Sequence, residues 1–118
     1  MNRRRKGACG EQRAAQFLRE RGCDILAMNF RCRRGEIDIV ALDRDEVVFV
    51  EVKNWDALET DSLEYAIGWD KRNRIRDTAL FFLHQHEELQ EKPMRFDVIL
   101  CRERPPGLDH LKNAFGGV

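Results

Sequence analysis

Apolar residues recur at helical spacing over residues 8–21, where Ala14, Ala15 and Leu18 fall on one face with Phe17 beside them. Gly22 follows in the place of a helix-stopping glycine. The period then changes. Residues 23–30 read as a short strand and Arg31–Gly35 as a basic turn. Residues 36–43 and 46–53 read as two strong strands joined through the polar pair Arg44-Asp45. Both strands are apolar at odd and even positions, so the sheet they build needs cover on both faces, by helices above and below. Residues 54–61 form an acidic loop. Asp61 followed by Glu64 suits a helix start, and the spacing predicts a helix running to about His84. Leu63, Ile67, Ile75, Ala79, Phe82 and Leu83 form its stripe, and Gly68 is a point of kinking or splitting. Pro93 precedes a last strand, Met94 to Cys101, with Phe96, Val98 and Leu100 on one face. The tail from Arg102 reads mostly as loop. No repeat or linker divides the chain, so the pattern predicts one α/β domain over 1–118 with loosely ordered ends at 1–7 and 102–118.

Composition narrows this picture. With 42% hydrophobic and 36% charged residues among 118, the chain has material for a core and a heavily charged exterior. Its longest apolar run is five residues, Ala79 to Leu83, and Arg3-Arg4-Arg5-Lys6 leads into no apolar stretch. A soluble, cytoplasmic protein with no membrane partner is therefore expected. Cys9, Cys23, Cys32 and Cys101 form no Cys-x-x-Cys pair, which speaks against a zinc module. His84 and His86, two apart on a helix, are expected to face solvent. The net charge is zero, yet residues 1–36 hold ten basic and four acidic side chains, and residues 37–118 hold eleven and seventeen. A basic end of this kind suits a local meeting with a polyanion.

The informative residues are charges at positions the periodicity assigns to the interior. Glu36 and Asp38 alternate with Val40 and Leu42, and Glu51 and Lys53 with Val47 and Phe49. A two-residue turn pairs Asp43 with Glu46, and that register sets Asp38 opposite Glu51 and Glu36 opposite Lys53. Glu11 repeats the anomaly on the first helix, and Lys71 on the long one, between Ile67 and Ile75. One inward charge is often a snorkelling side chain. Five of them, Glu11, Asp38, Glu51, Lys53 and Lys71, point to a shared site. Converging carboxylates raise a pKa or recruit a cation, and oxygen ligands favour Mg²⁺ or Mn²⁺. Acidic oxygens holding such an ion beside a lysine suit phosphodiester hydrolysis. Arg4, Arg5, Lys6, Arg31, Arg33 and Arg34 form the surface expected to hold the phosphate backbone.

Gly35-Glu36-Ile37-Asp38-Ile39-Val40 followed by Val48-Phe49-Val50-Glu51-Val52-Lys53 resembles the Asp…Glu-x-Lys signature of the PD-(D/E)XK nuclease superfamily. More narrowly, the chain is similar to the bacterial YraN-like family, related to archaeal Holliday-junction resolvases. Gly7…Gly10-Glu11 with Ala14-Ala15, Asn29-Phe30-Arg31, Lys71…Ile75 with Ala79, Arg95-Phe96-Asp97-Val98 and Asn113-Ala114-Phe115 carry the likeness along nearly the whole chain. The resemblance implies a restriction-endonuclease-like core, a central mixed β-sheet flanked by helices on both faces. It implies Asp38 and Glu51 as metal ligands, Lys53 as the catalytic lysine, Glu11 as an added acid and Lys71 as support. It also implies structured or branched DNA as partner, and a resolvase role calls for a homodimer. Two positions past Lys53, where that family usually carries a basic residue, this chain has Trp55, then Asp56, Glu59, Asp61 and Glu64. Two other functions stay open on the residues alone. One is a non-catalytic nucleic-acid-binding module that keeps the nuclease fold; the other is a protein-interaction domain that uses the acidic 56–64 segment.

Overall fold

The structure, a computed structural model, describes residues 3–54, 68–103 and 105–114, with the backbone alone for 3–9 and 69. Helix α1 spans Arg3–Glu20, followed by strands β1 (Asp24–Cys32), β2 (Gly35–Asp43) and β3 (Glu46–Asn54). Helix α2 (Trp69–His84), a 3-10 turn (Glu87–Leu89), β4 (Met94–Glu103) and β5 (Pro106–Leu111) complete the described chain. The five strands lie in the order β1-β2-β3-β4-β5, antiparallel except for β3 and β4, which run parallel. The fold is thus α/β, with the mixed sheet lying between α1 and α2.

The two-faced strands explain the layering. Val47 and Phe49 pack with Ile75, Ala79 and Phe82 of α2, while Val48 and Val50 pack with Ala14, Ala15 and Leu18 of α1. The expected stripe of α2 is buried from Ile75 to Leu83; its Leu63 and Ile67, with the acidic 54–61 loop beyond Asn54, lie outside the described residues. Gly68 caps α2 at its N-terminus. Gly22 stops α1 as expected. Its left-handed backbone (φ 89°) lets the Cys23 N–H reach back to the Leu18 carbonyl at 3.0 Å.

Three readings are corrected here. Arg31 and Cys32 belong to β1, which pairs Cys32 with Gly35, so the basic turn shrinks to Arg33-Arg34. The tail is not mostly loop, because β5 pairs with β4 from Val98↔Leu111 to Glu103↔Pro106. His86 does not face solvent; its ring stacks on Phe82 at 4.0 Å and its Nδ1 lies 2.7 Å from the Phe82 carbonyl.

One irregularity governs the site. On β1, Met28 packs on the α1 side, but Phe30, two residues on, packs on the α2 side. On β2, Ile39 packs on the α1 side and Ile37 on the α2 side. Between them Asn29 takes a left-handed conformation (φ 53°), and the alternation of both strands inverts there, at Asn29 and Asp38.

Candidate functional site

The β2–β3 ladder follows the expected register from Asp43↔Glu46 and ends at Ile39↔Val50, one pair short of Asp38 and Glu51. β3 continues against β4 alone, as far as Asn54↔Cys101. The two strands therefore part where the inversion falls. The Val52 N–H, left without a β2 partner, donates instead to Asp38 Oδ2 at 2.8 Å.

Asp38 (9% exposed) and Glu51 (8% exposed) are buried in this opening, within hydrogen-bonding reach of each other. Glu51 Oε1 accepts from Lys71 Nζ at 3.1 Å and Lys53 Nζ at 3.4 Å. α2 delivers Lys71 from its first turn, and α1 brings Glu11 close enough for its charge to bear on Asp38. Four of the five inward charges predicted from the sequence thus meet directly, and the fifth, Glu11, adjoins them.

The electrostatics are those of a pair that resists full ionisation. Burial, then the Glu51 charge, push Asp38 up to about 8, and the Val52 N–H offsets only part of that rise. Burial and the neighbouring Lys71 ammonium pull Lys53 below the usual lysine range. Lys71 is driven the other way: burial opposes its charge, but Glu51, Lys53 and Asp38 together hold it above the ordinary value. Among the described residues, no three or more His, Cys, Asp or Glu side chains gather into a metal-holding group. Two adjacent buried carboxylates still fit a hard divalent cation, which commonly binds through one or two protein carboxylates.

Glu36 is not part of this group. The inversion at Asp38 turns it away from Lys53, and it forms an exposed ion pair with Arg31 at 2.8 Å. Of the predicted backbone-holding residues, Arg31, Arg33 and Arg34 are exposed around the β1–β2 turn; the side chains of Arg4, Arg5 and Lys6 lie outside the described residues. The sequence reading passed over Arg74, although four basic residues fall within positions 71–76. It also passed over a second buried group. Arg95 Nε donates to both oxygens of Asp97 at 3.0 and 3.1 Å, and its other nitrogens donate to Glu46 (2.6 Å) and Asp43 (3.0 Å). His110 Nε2 (2.7 Å) and the Asn113 N–H (2.8 Å) complete the shell of Asp97.

The family described as "Uncharacterised protein family UPF0102" matches residues 10–101, a span that holds Glu11, Asp38, Glu51, Lys53 and Lys71. The chain belongs to UPF0102. Its UPF0102 relatives include proteins of Syntrophus aciditrophicus (44% identical, 94% of this chain and 88% of that one), Lachnoclostridium phytofermentans (43%, 98% and 96%) and Pseudomonas aeruginosa (40%, 95% and 93%). Each is called a UPF0102 protein, a name that assigns no chemistry. Among the described residues of this UPF0102 chain, no helix is long and apolar enough to cross a membrane.

Proposed function

We propose that this UPF0102 protein is a metal-dependent endonuclease of the PD-(D/E)XK kind that hydrolyses phosphodiesters in structured or branched DNA. The observation that carries the reading is the buried Asp38–Glu51 pair beside two lysines that both reach Glu51 Oε1. Asp38 and Glu51 are the residues to hold Mg²⁺ or Mn²⁺. When bound, such an ion supplies a polarised phosphoryl oxygen and a water of lowered pKa. Lys71 clamps Glu51 Oε1 and fixes that carboxylate's rotamer. Lys53, eased toward its neutral form, orients or relays the proton of the attacking water and meets charge developing on the phosphorane. Glu11, on the approach from α1, adds to the negative potential that draws the cation in. Arg33 and Arg34 contact the backbone without reading bases.

Calorimetric titration of Mn²⁺ tests the reading. Asp38→Asn and Glu51→Gln are each expected to lose at least tenfold in affinity, about 1.4 kcal/mol. With Mg²⁺ or Mn²⁺, labelled four-way junctions, flaps and plasmids are expected to be nicked by the wild type and left intact by Asp38→Asn. Mn²⁺ affinity indifferent to both substitutions overturns the metal site. Salt-dependent DNA binding without nicking makes the protein a binding module instead.

A further inference from the structure

A second feature lies along the same helix. A cleft of about 260 Å³ opens where the β1–β2 turn meets α2, lined by Arg34, Asp77, Leu80, Phe81 and His84. Leu80 (52% exposed) and Phe81 (38% exposed) are adjacent large apolar side chains left open to solvent. The Phe81 ring is braced from beneath by Phe30, at 6.3 Å and a 34° tilt, so one side is packed and the other free. An apolar ring packed on Phe30 beside the Arg34 guanidinium is a stacking surface next to positive charge.

The turn is pinned to the helix. Gly35 (φ 151°) packs so closely that a β-carbon there would lie 3.1 Å from Thr78 Oγ1 and 3.7 Å from Arg74 Cβ. Arg33 and Arg34 therefore share a surface with Arg74, which is exposed. Lys71 precedes Arg74 by three positions, neighbours on a helix, and Lys71 touches Glu51. Residues 31–36 and 70–77 together hold seven basic side chains against three acids, in a chain whose net charge is zero. Asp77 is the one acid among the cleft's lining residues. Phe81 lies ten positions beyond Lys71 on α2, ~15 Å at 1.5 Å per residue, the span of a few nucleotides.

Resting on the nuclease reading above, we infer that this cleft takes an unpaired nucleobase, stacked on Phe81, while the phosphates of the same strand run past Arg34 and Arg74 to Lys71 at the acidic pair. A base paired in a duplex has both faces covered by its neighbours and its edge turned inward, so it does not reach Phe81. The substrate class so selected is a single strand or an unpaired end at a branch. The exposed Arg33, Arg34 and Arg74 on the shared surface beside the cleft favour this polyanion over a protein partner or a second copy of the chain.

The test uses the whole protein without metal, so binding is read apart from cleavage. A ten-nucleotide single strand carrying 2-aminopurine, and the same sequence fully paired, are titrated in EDTA at low salt. Wild type and Asp38→Asn are expected to quench the single strand's fluorescence. Phe81→Ala is expected to lose the quench and about tenfold in single-strand affinity (~1.4 kcal/mol), with duplex affinity changed less than twofold. Phe81→Tyr is expected to restore both. Unchanged quench and affinity in Phe81→Ala overturn the inference. So does sedimentation in which Phe81→Ala dissociates a dimer while single-strand binding stays intact. Nicking by wild type with no effect of Phe81→Ala removes the cleft and leaves the nuclease standing; quenching without nicking does the reverse.

Discussion

Two buried groups of charges sit at opposite ends of β3, and they are built on opposite terms. At the hairpin end, Arg95 gathers Asp97, Glu46 and Asp43, and His110 and Asn113 close the remaining side of Asp97. Burial there opposes ionisation, yet the partners win: Asp97 is held below the usual carboxylate range and Arg95 above the usual guanidinium range. At the other end, burial wins for Asp38 and Lys53, both pushed toward their neutral forms. The first group is complete without a ligand and serves to tie β5 and the β2–β3 hairpin to β4. The second is incomplete, and a group left incomplete at a cost to stability is where ligand chemistry is to be sought.

The comparison breaks most sharply at Asp97. Its side chain is fully buried, so Asp97→Ala strands Arg95 and His110 and is expected to cost ~3–5 kcal/mol in urea unfolding at neutral pH. The next largest effect has the opposite sign. In the metal-free protein Asp38 keeps its proton up to about pH 8, whereas an unperturbed Asp releases it near 3.8. The folded state binds more protons across that window, so Asp38's contribution is fully present below the unfolded value and is lost as pH rises toward 8. Asp38→Asn is therefore expected to stabilise the metal-free protein by ~2–4 kcal/mol at pH 8 and to add little at pH 4, read by denaturant midpoints at the two pH values. Asp97 runs the other way: its contribution is present above its unfolded value and disappears as pH falls through its depressed folded one.

Smaller changes sharpen the contrast within the site. Lys71→Met leaves Glu51 with Lys53 alone and is expected to cost ~1–2 kcal/mol at pH 7, with carboxyl NMR showing the Asp38 titration moving further up. Glu36→Gln removes only an exposed partner of Arg31. It is expected to change stability by less than ~0.5 kcal/mol and to leave Mn²⁺ affinity untouched. A loss of metal affinity in that variant would return Glu36 to the site.

Which parts of this were legible in the chain follows from the range of the forces involved. β3 announced both its faces through Val47/Phe49 and Val48/Val50, and Asp38 and Glu51 stood out because they interrupt apolar strands that local pattern alone defines. Glu36 was misplaced because alternation presumes an unbroken pleat, and no residue in β2 marks the inversion; the left-handed Asn29 lies on the neighbouring strand. β5 was invisible for another reason. Pro106-Gly107-Leu108-Asp109-His110-Leu111 opens with two strand-averse residues, and an edge strand tolerates a proline at its first position. It is held by pairing with β4 and by His110 on Asp97, thirteen residues away.

The shared inversion of β1 and β2 has a consequence for how this hairpin can vary in length. Because Asn29 and Asp38 flip together, the direction of the Asp38 carboxylate is decided inside the ladder and owes nothing to the Arg33-Arg34 tip. Residues added to the tip extend a finger beyond the sheet and leave the acid where it is. One residue slipped into a single strand below the tip exchanges the inner and outer sides of everything beyond it, and swings the acid out of its pocket.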